Sequence, residues 1–179
     1  MAPPQRLSAS DAAVSADAFL AVVGKKQGAL KGECETPGHV DDISVIAWRW
    51  AVASPTAPGS TQATGRRVYE HLEVDKYVDA CSTRLLNALA NNEDLKSVTL
   101  SLRKAGTDDE DFFVMTLEKA RVTGSQIRSS LSGGLFETVS IAYQKITIDY
   151  HPQASSGQRG AASSYNDELD NPGMFGLEV

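Results

Sequence analysis

Residues 95–122 read LKSVTLSLRKAGTDDEDFFVMTLEKARV. Val98, Leu100 and Leu102 alternate with Thr99, Ser101 and Arg103. Ala105-Gly106-Thr107-Asp108 breaks the run, and Phe113, Met115 and Leu117 resume the two-residue period. Successive side chains of a strand point to opposite faces. Alternation of this length therefore predicts two antiparallel strands joined by a turn, one face on a core and the Thr99/Ser101/Arg103 face in water. Beyond Leu117 the apolar positions move to Ala120 and Val122, a one-residue slip that marks a β-bulge.

The stretch 135–150 slips in the same way. Val139, Ile141 and Tyr143 share one parity and Ile146, Ile148 and Tyr150 the other, which predicts a bulge near Gln144-Lys145. Long strands that bend suit a sheet curled on itself. The expected fold class is mainly β: a small β-barrel of two packed antiparallel sheets with one flanking α-helix. The helix is expected over 82–91, where Leu85, Leu86 and Leu89 fall on one face, Ser82 or Thr83 is available as a cap, and Asn91-Asn92 ends the run. Further strands are expected at 19–23, 29–35, 43–52 (Ile46, Trp48 and Trp50 on one face) and 66–74. Residues 53–65 carry Pro55, Pro58, Gly59 and Gly65 among several Ser and Thr, and are expected to form a long functional loop.

Three segments follow from composition. Residues 1–16 are Ala-, Ser- and Pro-rich and read as a flexible arm. Residues 17–150 form the folded domain. Residues 151–179 are Gly/Ser-rich, then acidic, and read mostly as a disordered tail ending in Met174-Phe175-Gly176-Leu177. The net charge of −6 is concentrated at the ends. Arg6 stands against Asp11 and Asp17, and Arg159 against Asp167, Glu168, Asp170 and Glu178. A nearly balanced middle argues against sequence-independent nucleic-acid binding, which needs clustered Lys and Arg. The apolar run at 18–23 is far below the roughly 20 residues that span a bilayer, so no membrane insertion is expected. Asp11 and Asp17 interrupt any leader-like segment, which predicts cytoplasmic synthesis without a signal peptide. Cys34 and Cys81 are then expected as free thiols.

No chemistry is legible in the residues. His39, His71 and His151 lie far apart, without the tight spacing of a zinc site. Asp108-Asp109-Glu110-Asp111 lacks the ligand order and central Gly of a calcium loop and reads as a solvated turn. Neither cysteine lies in a C-x-x-C motif, and there is no G-x-S-x-G elbow, P-loop or dinucleotide fingerprint. The expectation is a non-enzyme without cofactor or metal.

Ordered motifs along the chain carry a resemblance. They are Phe19-Leu20, Gly28, Lys31-Gly32-Glu33, His39, the 43–50 strand, Val74-Asp75-Lys76 followed by Leu85-Leu86, the 98–106 run VTLSLRKAG, the 117–122 run LEKARV and the 137–146 run ETVSIAYQKI. In this order the chain resembles the haemolysin-coregulated protein (Hcp) family, the tube subunits of type VI secretion systems. The resemblance spans residues 17–150. It departs at Ala80-Cys81-Ser82-Thr83, where many relatives carry Ser-Pro, and in the extensions at both ends.

The resemblance implies a homohexameric ring, stacked rings forming a tube, and expulsion by the type VI system. The implied partners are contractile sheath proteins, a spike protein and secreted effectors carried in the lumen. Loops projecting from a barrel meet the next ring first. Ala53, Ser54, Pro55, Pro58, Gly59 and Gly65, with Gly106, Thr107, Asp108 and Asp109 of the hairpin turn, are therefore the expected ring-stacking residues. Two alternatives stay open at this point. One is a secreted β-barrel module that captures a peptide or glycan on Trp48, Trp50 and Tyr69. The other is the tail-tube subunit of a contractile phage-like particle.

Overall fold

The computed structural model describes residues 16–104, 110–131, 133–152 and 161–169. The strands are β1 (Ala16–Gly24), β2 (Gly28–Ala29), β3 (Ile43–Arg49), β4 (Val52–Ala53), β5 (Val68–Tyr69), β6 (Leu72–Tyr77), β7 (Leu95–Lys104), β8 (Asp111–Ser129), β9 (Leu135–Ala142), β10 (Lys145–Tyr150) and β11 (Ser163–Glu168). One helix, α1 (Ser82–Ala90), lies between β6 and β7. Strands β7, β1, β3, β6, β9 and β8 pair in that order, and β8 pairs in turn with β7, so the sheet closes. All pairings are antiparallel. The two packed faces expected from the sequence belong to one continuous sheet.

The slips in the alternation mark the corner of this barrel. β8 pairs with β10 through residues 113–118 and with β9 from Arg121 onward. Lys119, at the change of partner, has φ 49°. That left-handed backbone resets the phase, so Met115 and Leu117 are buried before it and Ala120 and Val122 after it. Opposite it, Tyr143 and Gln144 separate β9 from β10, so the bulge predicted near Gln144-Lys145 is a full break between two strands. A closed barrel requires strands to bend and change neighbours, and both devices sit at one corner.

The core is a single cluster in which Leu20, Val22, Ile43, Leu72, Val74, Leu100, Met115, Leu117, Val139, Ile141 and Ile146 face inward from the barrel strands. Cys81, Leu85 and Ala88 join it from the helix and its cap. Each fully buried aliphatic side chain of this kind contributes about 1.5–3 kcal/mol relative to exposure.

Several expectations are corrected. Ile46 is not on the face of Trp48 and Trp50: the register shifts between Val45 and Ala47, Ile46 is left outside the ladder and exposed, and both Trp pack against the core. Of the expected 29–35 strand only Ala29 is regular, as the second residue of β2; Gly32 and Cys34 instead donate backbone hydrogen bonds to Asp41 and Asp42. The 66–74 strand is split at Glu70-His71 into β5 and β6.

Ser101 and Arg103, expected in water, are buried. The turn through 36–42 folds over Arg103: its guanidinium lies 5.9 Å from the Phe19 ring centre, and donates to the Pro37 carbonyl and to Asp111. The helix is capped differently as well. Cys81 occupies the N-cap without a side-chain cap bond, while Asp79 Oδ1 accepts from the Cys81 amide and Ser82 Oγ accepts from the Asp79 amide. Asn92, at φ 47°, ends the helix as expected. Within the tail, 163–168 is not disordered but forms β11 on the free edge of β10.

Candidate functional site

The stretch expected to be a long loop is a β-hairpin arm. Val52 pairs with Tyr69 and Ala53 with Val68, an isolated bridge joins Thr56 to Ala63, and both the amide and hydroxyl of Thr64 donate to the Pro55 carbonyl. At the tip the Ser60 amide donates to the Ala57 carbonyl across Pro58-Gly59, with Gly59 at φ 79°. Proline at the second position and a left-handed glycine at the third are the requirements of a type II turn, which is how this composition makes a hairpin.

Every residue from 52 to 68 is exposed. The arm therefore brings Ala53, Ser54, Pro55, Pro58, Gly59 and Gly65 together on one projection, with Gly65 against the Pro55 ring. The other expected contacts, Gly106, Thr107, Asp108 and Asp109, lie outside the described residues.

The base of the arm is anchored where it meets the barrel. Trp50 and Tyr69 pack against the core with ring centres 6.3 Å apart. The Trp50 indole donates to the Tyr143 hydroxyl at 2.5 Å, and that hydroxyl donates to the Glu70 carbonyl at 3.3 Å. Trp48 stacks on Phe113 at 5.8 Å. The aromatics considered for ligand capture are thus engaged in packing the arm and barrel together.

A polar cluster on the arm's returning strand was missed by sequence reasoning. Arg67 Nη2 lies 3.0 Å from Asp167 Oδ2, and the Tyr69 hydroxyl donates to the same oxygen. The Tyr165 hydroxyl lies 2.7 Å from that of Tyr69. The Tyr69 bond, followed by the Arg67 charge, holds the Asp167 carboxyl below its usual range. Desolvation and then the Asp167 bond push the Tyr69 hydroxyl upward. A cleft of about 650 Å³ runs between this cluster and the arm, lined by Ser54, Gly65, Arg66 and Leu169 among others.

The barrel end that carries the corner is a field of opposed charges. Lys25 pairs with Asp94 at 2.8 Å, Lys119 with Glu168 at 2.6 Å and Lys145 with Glu118 at 2.6 Å, around a cleft of about 760 Å³. Exposed pairs of this kind are screened by solvent and add little to stability, but they pattern a surface. Among the described residues no group of His, Cys, Asp and Glu is placed to hold a metal ion. Among them, too, no helix is long and apolar enough to cross a membrane. Cys34 and Cys81 are both free and buried.

A family model described as "Type VI secretion system effector, Hcp" matches residues 19–150. Protein hcp1 of Pseudomonas aeruginosa is 28% identical over 140 residues, covering 75% of this chain and 85% of the relative. Among solved structures, a type six secretion system protein superposes with a TM-score of 0.76 at 23% identity, over 87% of this chain and 96% of the other. An Hcp protein superposes at 0.74 and 22% identity, over 88% and 99%. At these identities the structural likenesses show the fold.

Proposed function

The chain belongs to the Hcp family of type VI secretion proteins, and on that premise we propose that it forms hexameric rings that stack through the hairpin arm. As a family member it is a tube protein of the type VI system rather than an enzyme, and Hcp proteins are secreted by that system. The observation that carries the stacking reading is the arm itself. It is a hairpin whose residues 52–68 are all exposed, projecting from a barrel whose own sheet is closed. A closed sheet offers few backbone edges, so contacts between copies fall to what projects from it.

In this reading Ala53, Ser54, Pro55, Pro58, Gly59 and Gly65 meet the next ring. Gly106, Thr107, Asp108 and Asp109 are a second proposed contact, resting on their place in the sequence between β7 and β8. Sheath proteins, the spike and effectors carried in the lumen are the partners proposed for the assembled tube. Replacing residues 55–64 with a two-residue turn tests the arm. Native mass spectrometry should still find rings, and electron microscopy should find tube growth lost. Tubes of unchanged length would sink the stacking role.

A further inference from the structure

β11 is a strand with almost no apolar reason to be where it is. Its residues are exposed except for Asp167, which is half-buried, and the apolar anchor is Leu169 just beyond it, which packs on the core and donates its amide to the Gln144 carbonyl. Pairing along β10, from Lys145 with Glu168 to Tyr150 with Ser163, already fixes its place in the sheet. Its side-chain bonds do something else. Among the described residues, apart from Glu168 on Lys119 and a 3.3 Å contact between the Tyr165 hydroxyl and Asp167 within the strand, they run to the base of the arm.

The geometry is a match of two spacings. Arg67 and Tyr69 are two apart along the returning side of the arm, and Tyr165 and Asp167 are two apart on β11. Residues at this spacing project from the same face of a strand. Asp167 Oδ2 accepts the Tyr69 hydroxyl and forms an ion pair with the Arg67 guanidinium, and the Tyr165 hydroxyl lies 2.7 Å from that of Tyr69 and 3.3 Å from the same carboxylate oxygen. A carboxylate that accepts a hydroxyl while facing a guanidinium charge is a directional tie.

We propose that β11 is a strut for the arm and that Asp167 is its positioning residue, gripping Arg67 and Tyr69 to fix the direction in which the arm leaves the barrel. The consequence for ring stacking rests on the arm reading given above; the strut itself does not. The need for one is physical. A two-stranded hairpin with no buried face is marginally stable by itself, so an outside tie decides how well it is ordered.

Asp167→Ala, Asp167→Asn and Tyr165→Phe, made in the full chain, test this by hydrogen exchange on assembled rings read by mass spectrometry. The expected result for Asp167→Ala is exchange about three- to tenfold faster in a peptide covering 51–70. Peptides of β7–β8 and of β10–β11 should be unchanged, and native mass spectrometry should still find rings. Asp167→Asn and Tyr165→Phe should show smaller rises, since each keeps part of the cluster.

Unchanged exchange in 51–70 for Asp167→Ala would overturn the strut. So would a rise shared equally by β7–β8, which would mean general destabilisation. Electron microscopy of the same samples separates the two readings. If the arm loosens while tubes grow normally, the strut stands and the arm's stacking role falls. If the shortened arm stops stacking while Asp167→Ala leaves exchange unchanged, the strut falls alone.

Discussion

Replacing Lys76 with Met should be among the most damaging single changes in the barrel. Lys76 and Glu137 are both 0% exposed, 3.2 Å apart. The ammonium also reaches Asp79 Oδ1 at 2.8 Å, Ser82 Oγ at 2.9 Å and the Tyr77 carbonyl at 2.8 Å. At an effective dielectric of about 20, two unit charges at this separation attract by roughly 5 kcal/mol. Desolvating both ions offsets most of that, so the pair adds little beyond what an apolar pair of similar volume would.

Removing one partner is different. Without Lys76 the buried Glu137 keeps, among the described residues, only the Ser125 hydroxyl, at 2.9 Å, and such an uncompensated charge costs about 3–5 kcal/mol. For a chain of this size that lowers Tm by about 6–20 °C. The assay is thermal and denaturant unfolding of wild type, Lys76→Met, Glu137→Met and the double variant at one protein concentration, since ring association adds to apparent stability. Glu137→Met should cost less than Lys76→Met, because Lys76 keeps three partners, and the double variant should recover most of the loss. A Lys76→Met loss below about 1 kcal/mol, or a double variant as weak as the sum of the singles, would refute the reasoning.

Two further outcomes follow from closely packed positions. Burial pushes the Cys81 thiol up to about 12 from its ordinary 9.0, so the folded chain holds this proton more tightly than the unfolded one. The resulting stability is complete below the unfolded value and is lost as pH rises through the folded one. Unfolding free energy should therefore fall between about pH 9 and 12, and Cys81→Ala should flatten that slope by about 1.4 kcal/mol per pH unit; equal slopes in urea titrations would contradict it. Gly32→Ala would place a Cβ 2.4 Å from the Asp42 carbonyl oxygen and 2.9 Å from the Ile43 Cα. Backbone on that side cannot rotate away, so about 1–3 kcal/mol should be lost in chemical denaturation, and an unchanged midpoint would show that the turn yields.

The barrel was legible because its signal is local. The parity change between Leu117 and Ala120, and again around Tyr143, needs no knowledge of partners, and both lie at the corner where β8 changes neighbours. What was missed depends on distant chain. Ile46 is apolar yet expelled by the register shift in β3, so its hydrophobicity pointed to the wrong face. Arg103 alternates as a solvent residue should, and is covered only because the 36–42 turn arrives from elsewhere. The arm reads as loop because its pairing rests on Val52, Ala53, Val68, Tyr69 and one Thr56–Ala63 bridge, too few residues to impose a period. β11 gives no apolar alternation because it lies at a sheet edge with little to bury.

The same contrast bears on how a tube protein divides its work. The barrel takes its order from a shared apolar core and holds its shape whatever surrounds it. The arm has no core, and its order is borrowed at two places: the Trp50–Tyr143–Glu70 bonds on the barrel side and the Asp167 cluster on the β11 side. On the proposed reading of the arm as the stacking contact, a surface built this way can be redirected by changing a few polar residues at its base, leaving barrel stability untouched. Substitutions at Asp167 or Tyr165 should therefore separate assembly from folding, whereas those at Lys76 or Gly32 should not.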